Sequence, residues 1–370
     1  MNKRYFLQGY LFFILAFGAS NSTAQKRRIC GPEKVDTAFL LSMARLEQSP
    51  WLRIASTTRM IKVFIHVLHD DNGTGEAISQ ADVATEFQDL LEDFSSNNLC
   101  FFLAGVDTIR NTSLNIFFNA DDDSPLEFDP YQVAGCLNIF YVQRIQGENS
   151  SCAPPCGIGG VALGGIPGTF CLVDDGNIGD HTISHEVGHC LGLSHTFARI
   201  NGRECINGSN SLLAGDLIGD TRADPYSFNA ASCYSEQPSA GNCISYTGDC
   251  EDPCGSTAYH PPYNNLMSYW LGCITQIFSP GQFLRVNATI DNNSSINALA
   301  SPQTYTQNAI SRSSGFLVRA AIGDLSTNGA VSISSTAVAS FGGSSVVLKP
   351  GFVARPSGLG TTTVKTHGCN

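Results

Sequence analysis

Five residues in the run His185-Glu186-Val187-Gly188-His189-Cys190-Leu191-Gly192-Leu193-Ser194-His195 have types and spacing that could do chemistry. Histidines four positions apart share one face of a helix, so His185 and His189 can offer two imidazoles to one ion. Glu186 follows the first of them, where its carboxylate can reach an ion-bound water without competing as a ligand. Ile183, Val187 and Leu191 recur on the roughly opposite face and predict packing against a sheet. Gly192 permits the positive φ that ends a helix, after which the chain turns back and His195 can supply a third nitrogen. Three imidazoles leave a fourth position for water, the arrangement of a catalytic rather than a structural zinc ion. The chemistry expected is hydrolysis: zinc lowers the pKa of its water to about 7, and Glu186 takes the proton and passes it to the leaving group. An amphipathic helix with surface histidines and a purely structural metal site are the competing readings. Neither calls for a glutamate beside the first histidine.

The surrounding elements must hold this helix. Ile61–Leu68 reads as a buried strand, and Ser79–Phe94 as a helix opened by Ser79 and Asp82, with Val83, Phe87, Leu90, Leu91 and Phe94 on one face. Phe101–Ala104 and Leu137–Val142 read as further strands, and the glycine-rich stretch 157–173 as an exposed strand and its return. Strand, helix, strands and then the motif helix predict an α+β fold on a twisted, mostly parallel sheet. Thr37–Leu46 is weakly helical. Residues 196–262 show little periodicity and many Cys, Gly, Asn and Pro, which predicts an irregular region held by disulfides and a bound ion. Ser279, Pro280 and Gln282 mark the start of a last helix with Phe283, Leu284, Val286 and Ile290 facing inward. Residues 291–307 read as a polar linker. Residues 310–369 are short β-like runs without a strong internal repeat, hence a small all-β appendage.

Composition limits the partners. A net charge of −11, with no basic run beyond residue 30, argues against nucleic acid and against an anionic membrane surface. Lys3 and Arg4, the apolar run Leu11–Phe17 and the small residues Ser22-Thr23-Ala24 predict a secretory signal ending before Gln25; an uncleaved anchor is the alternative. No later segment is apolar enough to span a membrane. Export leads to an oxidising compartment, which suits the 14 cysteines, most of them between residues 136 and 273. Cys152/Cys156 and Cys250/Cys254 imitate metal spacing but read as disulfide halves, their connectivity open.

The histidine run resembles the extended zinc signature of the metzincin clan of metallopeptidases. Asn264-Asn265-Leu266-Met267-Ser268-Tyr269 resembles the clan's Met-turn. With Leu193-Ser194-His195-Thr196-Phe197, Cys273 and Gly219-Asp220-Thr221, it resembles the pappalysin family over residues 55–295. Arg222 stands where that family commonly has proline. The resemblance implies zinc on His185, His189 and His195, Glu186 as general base, Met267 as the apolar floor under the metal and Tyr269 as a hydrogen-bond donor to the oxyanion. Asp216, Asp220 and Asp224, four apart in an irregular loop, are hard oxygen ligands suited to calcium, which relatives bind in this region; solvated loop acids are the alternative. Arg28-Ile29-Cys30-Gly31 resembles a short propeptide whose cysteine blocks the zinc; the alternative is a disulfide half. A free Cys30 leaves an odd number, so a further thiol such as Cys190 or Cys369 would stay unpaired.

The expected product is a secreted zinc endopeptidase acting on proteins or peptides. Its layout would be a signal peptide (1–24), a propeptide-like segment (25–52), a metzincin-like catalytic domain (53–295) with an irregular disulfide-rich lower half, and a β-rich accessory domain (308–370). An exposed strand near Gly159–Gly165 would pair with an extended substrate. Trp270-Leu271-Gly272 offers no acid, which favours apolar or neutral substrate side chains. A catalytically silent binding protein on the same scaffold and a zinc amidase for non-peptide substrates are the competing functions. The intact Glu186 weighs against the first and the glycine-rich edge against the second. Val347–Phe352 resembles an appendage at the C-termini of secreted bacterial proteins, which implies surface, docking or stability roles without chemistry.

Overall fold

The computed structural model describes residues 35–47, 58–117, 125–146, 158–228, 233–239, 243–255, 259–270, 276–357 and 361–366. The expected signal segment, Cys30, Cys152, Cys156, Leu271, Gly272, Cys273 and Cys369 lie outside them.

Helix α1 (Thr37–Glu47) precedes strand β1 (Arg59–His69), whose residues Met60–Leu68 are all buried. So apolar a strand needs cover on both faces, which a parallel sheet with crossover helices supplies. Helix α2 (Gln80–Asp93) makes the first crossover to β2 (Leu99–Arg110); β3 (Leu137–Val142), β4 (Gly160–Val161) and β5 (Phe170–Asp174) follow. The sheet order is β2-β1-β3-β5-β4, parallel except for the edge strand β4, which runs antiparallel to β5. The glycine-rich stretch does form the edge, but Gly160 and Val161 are buried, not exposed as expected, because the motif helix with Glu186 packs against them. The register of β1 against β2 shifts between Val63 and Phe64, beside Gly105, where a Cβ would lie 2.6 Å from the Phe64 ring.

One face of the sheet carries the main core, where Ile61, Val63 and Ile65 meet Val83 and Leu90 of α2, Ile183 and Val187 of the motif helix α3 (Thr182–Cys190), and Val286 and Ile290 of α4 (Pro280–Asn292). Both expected caps form: Ser79 accepts from Asp82 N, and Ser279 with Gln282 makes the full capping box. The buried face of α2 also carries Glu86, which the apolar stripe did not include.

Residues 291–307 are not a linker. Ser294–Asn297 is a helical turn, Ile296 and Leu299 are buried, and Lys62 N donates to Leu299 O at 3.2 Å, so the segment closes one side of β1. Helix α1 packs Leu40 and Ala44 against Ile166, Ile200 and Leu217, and Glu47 forms a buried ion pair with Arg285. Two disulfides, Cys205–Cys254 and Cys233–Cys250, hold the irregular region. Cys250 and Cys254 therefore each bridge to a distant cysteine, and Cys190 is a buried free thiol, as is Cys136.

The appendage is a coiled repeat, which the sequence did not betray. Three three-stranded parallel sheets run Tyr305–Gln307/Asp324–Thr327/Ser345–Val347, Ile310–Arg312/Val331–Ser335/Phe352–Pro356 and Phe316–Ala320/Val338–Gly343/Thr361–Thr366. The chain thus winds through three stacked triangular coils around Leu317, Leu325, Val331, Ile333, Ala339 and Phe341. Val318 and Ala320 join Met60, Phe64, Phe102 and Val133, seating the stack on the outer face of the sheet. No helix among the described residues is long and apolar enough to cross a membrane.

Candidate metal centre

Helix α3 is buried along its whole length. His185 and His189 lie one turn apart on it, and Gly192 at φ +93 turns the chain so that His195 returns to them. The side chain of Thr289 on α4 fills the space a Cβ at Gly192 would need. The three Nε2 atoms stand 3.1, 3.1 and 3.2 Å apart. Nitrogens about 2.0–2.1 Å from one tetrahedral zinc lie about 3.3 Å from each other, so the triangle fits that ion.

The donor set settles the tautomers. His185 Nδ1 lies 2.6 Å from Leu266 O and His189 Nδ1 2.7 Å from Leu193 O, so each Nδ1 must carry its hydrogen. Their Nε2 lone pairs then point at one another, an arrangement a shared cation stabilises. Among the described residues these three form the one group of three or more His, Cys, Asp or Glu side chains able to share an ion.

The other expected residues gather here. Gly160 on β4 approaches Glu186 so closely that a Cβ would lie 2.5 Å from its Oε1. Met267 packs beneath the helix, its Sδ 2.7 Å from where a Gly188 Cβ would be. The Tyr269 ring sits 4.7 Å from the His195 ring and 5.9 Å from that of His185. Phe197 stacks on His195 at 4.5 Å. Trp270 is buried core, its Nε1 donating to Asp224, rather than the wall of a substrate pocket.

The three acids expected at a calcium site have separate partners. Asp220 caps α4, accepting from Ser279 Oγ and Gly281 N at 2.7 Å each. Asp224 accepts four hydrogen bonds from Thr196, Ser268, Trp270 and Tyr226. Asp216 accepts through Oδ1 only, from Ile218 N and Thr221 Oγ1, and its Oδ2 is buried without a partner among the described residues. Glu204, in the same irregular region, has a buried Oε2 in the same state. Burial first, and then their mutual repulsion, raises the Glu204 carboxyl to about 9; burial also raises Asp216. Nothing in the sequence around Glu204 marks it, since the irregular segment has no period to read. Gln282, known beforehand only as a cap, also exchanges two 2.9 Å amide hydrogen bonds with Asn265 and so holds the turn that carries Met267.

No protein-family model matches the chain. An extracellular metalloprotease of Podospora anserina is 27% identical over 250 residues, covering 62% of this chain and 72% of that protein. An extracellular metalloprotease of Colletotrichum graminicola is 27% identical over 281 residues, 68% of this chain and 93% of that protein. Human pappalysin-1 is 31% identical over 172 residues, which are 42% of this chain and only 9% of pappalysin-1. With the histidine triangle and the turn beneath it, the likeness to these relatives, two named extracellular metalloproteases and one pappalysin-1, supports a metalloendopeptidase.

Proposed function

We propose that the protein is a secreted zinc endopeptidase in which His185, His189 and His195 hold the ion and Glu186 is the general base. The observation that carries this reading is the triangle of Nε2 atoms, 3.1–3.2 Å apart, with two of the opposite ring nitrogens committed to carbonyls. Zinc, when bound, supplies Lewis acidity for a scissile carbonyl and acidifies the attacking water. Glu186, beside the Gly160 edge, removes the water's proton and delivers it to the leaving amine. Tyr269, against His195 and His185, donates to the developing oxyanion. Strand β4, an edge with one side unpaired in the sheet order, takes an extended peptide as an added strand, which favours peptides over small amides.

Three further assignments belong to this reading. Residues 1–24 direct export, in keeping with relatives named extracellular. The Cys30 thiolate blocks the centre until the arm is cut. In support, Val35, five residues further along the chain, bridges Ile166, just beyond the edge strand. Glu204 and Asp216 would hold calcium, since two buried carboxylates with unpartnered oxygens suit a hard cation. Asp220 and Asp224 are spent on other partners.

The test is casein cleavage by full-length protein and by a form beginning near residue 35, each compared with Glu186→Ala, with zinc content measured. Cleavage is expected to fall about 10²–10⁴-fold in the variant while zinc is retained. Equal cleavage by both, or zinc bound with no cleavage of any library peptide, would overturn the peptidase reading.

A further inference from the structure

Asp224 lies where three segments of the centre meet. Its Oδ2 accepts from Thr196 Oγ1 at 2.6 Å and Ser268 Oγ at 3.0 Å; its Oδ1 accepts from Trp270 Nε1 at 2.8 Å and Tyr226 N at 2.9 Å. A carboxylate has about four lone-pair directions, and four donors take them all, which leaves none for a cation. Its donors are not scattered. Thr196 directly follows His195, Ser268 separates Met267 from Tyr269, and Trp270 follows Tyr269. Backbone tethering between the two segments rests on Thr196 N donating to Met267 O at 3.0 Å, and one hydrogen bond leaves rotation about itself free. The carboxylate adds a second point of attachment and so fixes the angle between the His195 loop and the turn.

We propose that Asp224 is a positioning residue of the metal centre, a buried carboxylate that bridges the His195 loop to the Met267–Tyr269 turn and thereby sets the third imidazole relative to Tyr269. This rests on the reading that His185, His189 and His195 hold zinc, and goes beyond it in naming what aligns the third nitrogen. Burial raises the Asp224 pKa, and the four hydrogen bonds oppose that rise by favouring the ionised form. An anion behind a dicationic centre is also favourable, and partners that orient metal ligands typically contribute 10–100-fold in metal affinity or activity.

The Oδ2 link between Thr196 and Ser268 fails when either hydroxyl is removed, while Trp270 Nε1 still holds Oδ1 to the turn, which separates the link from ordinary packing. Thr196→Val removes the hydroxyl on the ligand side and Ser268→Ala the one on the turn side, each leaving Asp224 three donors. Four readouts apply: zinc affinity by chelator competition, kcat and KM separately, the visible spectrum of the cobalt(II)-substituted protein, and Tm. Each single variant is expected to lose about 10-fold in kcat and in zinc affinity with KM nearly unchanged, and to shift the cobalt bands. The double variant should lose no more than the worse single one, because the same link is already broken. Asp224→Asn should recover most of the function, since both hydroxyls can turn to accept from its amide. Losses that multiply in the double variant, or a lowered Tm with wild-type zinc affinity, kcat and cobalt spectrum, would reduce Asp224 to scaffold and overturn the proposal. A parent protein that binds no zinc would instead sink the reading of the centre, and is recognised before any variant is made.

Discussion

At the residue scale, the edge strand presses closely on the base. An alanine at 160 would place its Cβ 2.5 Å from Glu186 Oε1 and 2.6 Å from its Cγ, so the carboxylate must move. Misplacement by about 1 Å can cost on the order of 10²-fold in rate. Gly160→Ala is therefore expected to lower kcat by about 10–100-fold with zinc content unchanged, read by steady-state kinetics and metal analysis. The ligands were legible in the sequence because their relation is local: helix periodicity alone brings His185 to His189, and one glycine returns His195. The Gly160 approach was not legible because strand and helix meet only in the fold, and the Glu204–Asp216 pair because the irregular segment between them has no period to read. Asp216, Asp220 and Asp224 looked equivalent by spacing. What separates them is whether their oxygens already have donors, which only the fold decides.

Among the elements, α2 bears on the centre through Glu86. Its Oε1 accepts from Gly179 N at 2.5 Å and its Oε2 from Tyr141 OH at 3.0 Å, tying α2 to the loop that leads into α3. Burial pushes the Glu86 carboxyl up to about 7 from 4.5, the two hydrogen bonds oppose this, and Asp180 and Asp89 add to it. The folded protein thus binds this proton more tightly than the unfolded chain does. Stability falls as pH rises from about 4.5 to about 7 and is level above, a change of about 3 kcal/mol. Glu86→Gln should remove that slope, measured as Tm against pH; an unchanged slope would refute the assignment. Helix α1 is anchored by the Glu47–Arg285 pair, with Arg285 Nη2 also donating to Leu217 O at 2.9 Å. Glu47→Ala leaves a buried guanidinium without its counter-ion and should cost about 3–5 kcal/mol in denaturant unfolding. The helices and their caps were readable from local signals, as Ser279 and Gln282 show. Glu86 was hidden because a glutamate within an apolar stripe reads as a solvent-facing residue until its donors are seen.

At the scale of the whole molecule, the catalytic body and the coiled appendage share a core. Phe102 lies so close to Gly342 that a Cβ there would overlap its ring, and Met60, Phe64 and Val133 complete the seam. A chain ending at residue 302 would expose these side chains, and is expected to show a lower Tm and increased binding of a hydrophobic dye. If Tm and dye binding stayed at full-length values, the seam would be energetically empty. The all-β character of this region was readable from its short alternating runs, but its winding was not. The inward positions pair Leu325 with Val346 and Val331 with Phe352, a repeat of side-chain class without repeat of residue identity. Stacked coils of this kind contact only their neighbours, so their stability is a sum of local terms. The appendage is in that sense a ruler: copying the middle coil, residues 324–344, would lengthen the stack by about 4.8 Å while the histidine triangle stays where it is.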